Sequence, residues 1–177
     1  MMWLKLAVFV LLAVMVVVFL LALTKPAIFR VQRSTRIKAP AEKIFPFIND
    51  FRGWAAWSPY TKLDPAMKQT FSGAQSGQGA VYEWDGSGKA GAGRMEIVES
   101  LPASKIGIDL HFLKPFEAHN KAEFTMTPQG DETEVTWAMF GPALFISKVM
   151  QVFCNLDKLV GRDFEVGLEN LKTASER

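Results

Sequence analysis

Cysteine occurs once in this chain, at Cys154, which excludes an internal disulfide and reads as a small apolar residue on the last helix. Charge of one sign is also lacking. There are 20 basic and 18 acidic residues, but Lys5 and Lys25 flank one apolar run, so the part from Pro26 onward carries 18 of each. A neutral chain without a clustered Lys/Arg stripe exerts no long-range pull on nucleic acid, and no nucleic-acid partner is expected. Repeats and low-complexity tracts are missing apart from Gly/Ser-rich loops between Ser72 and Gly93. A length of 177 residues leaves room for one domain and some extra.

The extra is at the N-terminus. Leu6–Leu23 is a run of 18 apolar residues without a charge, Gly or Pro. As a helix it would reach about 27 Å, close to a bilayer core. The run is longer than a signal-peptide core, and Ala22-Leu23-Thr24-Lys25-Pro26 has no small-x-small cleavage site. The expectation is an uncleaved single-pass anchor over residues 1–25, in a bacterial inner membrane, followed by a folded domain over 26–177. Lys25, Arg30, Arg33, Arg36 and Lys38 outnumber the positive groups before the run, which places that domain in the cytoplasm.

Within 26–177 the hydrophobic period changes twice. Phe29–Lys38 alternates loosely and predicts a first strand; Ala39–Phe51 then reads as a short helix with Ile44, Phe47, Ile48 and Phe51 on one face and Pro46 shortening or bending it. An aromatic segment, Trp54–Tyr60, follows. From Met67 to Phe140 the period is two, with turns every 10 to 15 residues. This predicts strands at Met67–Ser72, Gly79–Trp84, Arg94–Leu101, Lys105–Leu113, Ala118–Thr127 and Glu132–Phe140, an antiparallel meander with one wet and one dry face. Pro142–Lys172 repeats apolar residues at steps of three and four, a helix with one buried face. Its length calls for a break near Cys154–Asp157, where Asn155 would cap a second segment. Gly161 and Gly167 on that segment read as points of close approach.

Three patterns invite a chemical reading. Gly86-Ser-Gly88-Lys-Ala-Gly91 matches G-x-G-x-x-G, yet a strand and not a helix follows, so no N–H cradle for a phosphate forms and the motif is a hairpin loop. If the next turn centres on Pro115, His111 faces His119 and Asp109 faces Lys121 on the wet face; the pair is expected to be solvated, with no metal. No spacing brings a base to a Ser, Thr or Cys nucleophile, so no catalytic residue is assigned. On the dry face Asn120 is a lone amide among apolar neighbours and a candidate for orienting a ligand.

Ile37-Lys-Ala39-Pro40-Ala-Glu42-Lys43-Ile44-Phe45, Trp54-x-x-Trp57-Ser58-Pro59, Glu99-Ser-Leu-Pro102 and Gly161-Arg-Asp163-Phe164-Glu165-x-Gly167-Leu168-x-x-Leu171-Lys172 together resemble the polyketide cyclase/dehydrase-like branch of the START-like (SRPBCC) proteins. The resemblance covers about Phe29 to Leu171. It implies an α+β helix-grip fold, a curved antiparallel sheet of about seven strands around a long C-terminal helix, and a cavity whose chemistry differs between lineages. No catalytic set of the family maps onto this chain. The expected function is a membrane-anchored domain binding a hydrophobic small molecule or lipid, without a cofactor. Wall candidates are Trp57, Tyr82, Trp84, Met95, Ile108, Leu110, Asn120, Phe124, Trp137, Met150 and Phe153. A cyclase or hydratase using Asn120 or Tyr82, and an interaction module with a closed cavity, are the alternatives.

Overall fold

The computed structural model describes residues 2–143, 145, 148–149, 152 and 155–177. The chain opens with a helix, α1 (Met2–Leu23), most of whose described apolar side chains are exposed, Ala22 being buried and Phe19 meeting Phe145 at 5.6 Å. Its segment Lys5–Leu23 is long and apolar enough to cross a membrane. An apolar face with no packing partner is stable only in an apolar surrounding.

Strand β1 (Ile28–Ile37) leads through α2 (Ala41–Asn49) and two 3-10 turns, Phe51–Ala56 and Pro59–Lys62, into six more strands. These are β2 (Lys68–Gly73), β3 (Ala80–Asp85), β4 (Ala92–Leu101), β5 (Lys105–Lys114), β6 (Ala118–Gln129) and β7 (Glu132–Pro142). All pair antiparallel in one seven-stranded sheet of order β1-β7-β6-β5-β4-β3-β2. The C-terminal helix, α3 (Leu156–Ser175), crosses the inner face in an α+β helix-grip arrangement. Observed strand ends differ from the expected ones by a few residues at most. Pro46 sits inside α2, which keeps to nine residues and buries Ala41, Ile44 and Ile48.

The expected break before α3 is present. Asn155 is extended, at φ −83° and ψ 97°, and its side chain accepts a hydrogen bond from the Lys158 N–H at 3.0 Å. Phe145, Lys148, Val149 and Val152, before it, are helical. Met150, Phe153 and Cys154, two of them wall candidates, lie outside the described residues.

Two contacts fix α3 on the sheet. The Phe164 ring lies flat on Trp137, with centroids 4.0 Å apart and planes at 9°. Close to it, a Cβ on Gly167 would stand 2.8 Å from the Trp137 ring, so the glycine is what lets the indole approach. Nearer the start of α3, Arg33 reaches in from β1 to pair with Asp157 at 3.0 Å and Glu165 at 2.7 Å. A Cβ on Gly161 would run into its guanidinium. Both glycines therefore serve close approach, as their positions in the sequence imply.

These contacts generate two predictions. Phe164→Ala removes a buried ring and should cost about 3–5 kcal/mol in denaturant unfolding; a loss below about 1 kcal/mol would show that the stack does not hold α3. Hydrogen bonds from Arg33, more than its charge alone, hold the Asp157 carboxyl below the usual carboxylate range. A lowered folded pKa gives stability that is present above the unfolded value near ~3.9 and lost as pH falls through the folded one. The stability difference between the native chain and Asp157→Asn should be full above about pH 5 and shrink toward zero in acid. A difference independent of pH would contradict the pairing.

Candidate functional site

The inner face of the sheet is not buried evenly. On β1, β3, β5, β6 and β7 the inner-face residues toward the β1 N-terminus are less covered than those next to them in the sheet's middle, whereas on β4 Ala92 and Gly93 at that end are buried. Ile106 and Ile108 are sealed, Leu110 is nearly so, and Phe112 is half-buried; Val135 and Trp137 are sealed and Met139 is half-buried. Ala80 and Tyr82 are buried while Trp84 is half-exposed, and Phe29 on β1 follows the same trend. Strand register brings these four less covered residues to one end. Ile28 pairs with Pro142, Ala118 with Phe112, and Asp85 with Ala92.

At the sealed end the wall candidates pack on each other. Trp57 meets Phe124 edge to face at 5.9 Å and Trp137 at 5.4 Å, and Phe124 stacks on Trp137 at 5.1 Å. Trp54 closes the cluster, with its indole N–H donating to the Ile48 carbonyl at 2.9 Å. These rings occupy the space between α3 and the sheet. Ile108 lies in the same layer.

Toward the open end the remaining described candidates line a second aromatic group. Tyr82 stacks on Trp84 at 5.8 Å, and Trp84 meets Phe112 edge to face at 6.0 Å. Trp84 is oriented by its N–H bond to the Ala90 carbonyl, 3.0 Å, and by Gly93, where any Cβ would collide with the indole. Met95 pairs with Tyr82 across the strands, and Leu110 with Asn120. Asn120 is half-buried, and its amide fills the space that a side chain on Gly141 would need. Burial raises the Tyr82 phenol pKa, so the hydroxyl stays protonated near neutrality: a hydrogen-bond donor and a poor base. Residue parity alone would have added Phe29, Phe112 and Met139 to the candidates.

Elsewhere the loop Gly86–Gly91 is the hairpin its sequence implies. The Gly86 N–H donates to the Gly91 carbonyl at 2.8 Å, and the Asp64 carboxylate accepts from the Ser87 N–H at 2.8 Å and its hydroxyl at 2.9 Å. Those bonds, the Ser87 N–H first, hold the Asp64 carboxyl below its ordinary range.

On the outer face His111 does pair with His119. Among the described residues, these two and Glu117 bring ligand atoms within 4.8 Å of one another. The imidazoles are stacked, with centroids 3.7 Å apart and planes at 23°, so their in-plane lone pairs run side by side. Two imidazoles binding one ion at about 2.0–2.1 Å must aim their lone pairs at a common point. Beside the pair lies a cleft of about 570 Å³ bounded by Ile28, Arg94, Asp109, Lys121 and Phe140. Its charges are of both signs, which favours no single ion, and Leu110, Asn120 and Gly141, of the opposite strand parity, also line it.

The family described as polyketide cyclase / dehydrase and lipid transport matches residues 29–176. No curated relative matches the chain. Among solved structures, protein CV1439 from Chromobacterium violaceum superposes with a TM-score of 0.59 at 14% identity, over 86% of this chain and 99% of that one. The Aha1 dimer from Colwellia psychrerythraea gives 0.55 at 14%, over 84% and 96%. The di-domain ARO/CYC StfQ of the steffimycin biosynthetic pathway gives 0.62 at 13%, over 85% of this chain and 51% of that one. At these identities the likeness is one of fold.

Because its imidazoles do not converge, the outer-face pair should not respond to metal. Zinc at micromolar excess should leave the melting temperature within about 1 °C; a rise of several degrees, about what binding at 100 times Kd brings, would reinstate a metal site.

Proposed function

Because this chain belongs to the polyketide cyclase / dehydrase and lipid transport family, we propose that it is a membrane-anchored binding domain for an apolar small molecule or lipid, with residues 1–25 as the anchor and 26–177 as the binding domain. The observation that carries this reading is the uneven inner face. Phe29, Trp84, Phe112 and Met139 are large, apolar and only partly covered, and the half-buried amide of Asn120 lies at the same end of the sheet. Apolar walls with one convergent polar group are the usual makeup of a site for a hydrophobic ligand. Contact with the rings supplies affinity, while the amide selects a ligand with one hydrogen-bonding group at the matching place.

Placement beside a bilayer suits such a ligand. Four residues separate the end of α1 from the start of β1, so the less covered end of the sheet is the end held near the membrane. A molecule that partitions into lipid then enters the site without crossing bulk water. On this reading Trp57, Phe124 and Trp137 form the floor, and Tyr82, Trp84, Met95, Leu110 and Asn120 the walls. A cyclase on the same frame would need a proton acceptor among these walls, and the raised Tyr82 pKa points away from one.

Met139→Arg or Phe112→Arg places a charge in the half-buried part and spares the sealed core. Each variant should retain at least about tenfold less apolar material on solvent extraction of the purified protein, a change of ~1.4 kcal/mol in binding, with an unchanged fold. Equal retention by the variants, or a native protein that retains nothing, would count against the proposal.

A further inference from the structure

We propose that the β5–β6 hairpin tip seats Leu113 and Phe116 in the interfacial layer of the bilayer that α1 spans, giving the domain a second membrane contact; this rests on the reading of α1 as an anchor. Residues 24–27 are all that separate Leu23 from Ile28, and a chain covers at most about 3.6 Å per residue, so β1 starts within about 18 Å of the end of the span. The true reach is shorter, because the Thr24 and Lys25 N–H groups still bond to the Leu21 and Ala22 carbonyls.

Strand register then determines what else is held there. Ile28 pairs with Pro142, Phe140 with Lys121, and Phe112 with Ala118, which carries the β5–β6 turn to the same end of the sheet as β1's first residue. At that end Ile28 is 67% exposed, Leu113 52% and Phe116 60%. Three large apolar side chains cost free energy in water, and tethering leaves one apolar phase within their reach. By register Arg30 and Lys114 are at the same end, Lys114 paired with Asp85 at 3.1 Å, and Glu117 beside Phe116 is exposed there too; these charged groups belong in the headgroup layer above the buried rings. Leu101, at the opposite end of β4, is comparably exposed at 48%, and nothing tethers it to lipid.

Environment-sensitive labels on the full chain in nanodiscs test this. With Cys154 replaced by Ser, a label at Phe116→Cys, or at Leu113→Cys as a second site, is compared with one at Leu101→Cys. Nitroxide-bearing lipids should quench the tip labels several-fold more than the Leu101 label and shift their emission to the blue. If the chain floats with lipid vesicles and the tip labels stay as wet as the Leu101 label, the second contact is overturned and the anchor stands. A chain that does not float with vesicles overturns both.

Discussion

Trp137 is the residue on which the rest of the folded domain rests. Phe164 of α3 stacks on one face of its ring, Phe124 of β6 lies against it, and Trp54, Tyr60 and, between the two 3-10 turns, Trp57 meet it edge-on. Helix, sheet and the connection between them are thus measured from one indole. Aromatic pairs in these geometries contribute about 0.5–1.5 kcal/mol each beyond the area they bury. Gly167 is required for the stack to close, and the Arg33 pairs with Asp157 and Glu165 set the angle at which α3 leaves it. The carboxylates of those pairs are exposed while Arg33 is partly buried, so their worth lies in direction more than in energy.

Filling one end of the grip so completely has a consequence for the other. Among the described residues the space around Trp137 is taken up by packed rings. On the proposed reading a ligand is held at the end where Trp84, Phe112, Phe29 and Met139 lose cover, which is the end joined to α1. Sealing and opening thus follow from one distribution of aromatic side chains along the strands. Family membership agrees with a domain built to hold apolar molecules, and the structural neighbours share the frame at 13–14% identity. A site of this kind makes the outer-face cleft and the stacked histidines surface features of the same sheet.

Much of the fold was legible because local chemistry determines it. Pro115 sets the β5–β6 turn, and the register that follows puts His111 against His119 and Asp109 against Lys121, as observed. Asn155 marks its own cap, and Gly93 after the Gly/Ser loop reads as strand for the same reason that it does not bind phosphate. Arg33 was not legible in the same way. In sequence it sits among other basic residues of β1, and its partners lie 124 and 132 positions away, with no local pattern to announce them. The aromatic candidates show a different limit: hydrophobic burial stabilises a ring equally against a ligand or another ring, so composition could name Trp57, Phe124 and Trp137 but could not divide floor from wall.

On the proposed reading the less covered end of the grip holds an apolar molecule. Native mass spectrometry of the intact chain, released from a mild detergent after purification from membranes, tests it directly. The account predicts a second population of discrete added mass, matched by an apolar compound in the organic extract and lost on gentle activation before the chain unfolds. A single population at the mass of the bare chain, with an empty extract, would contradict it.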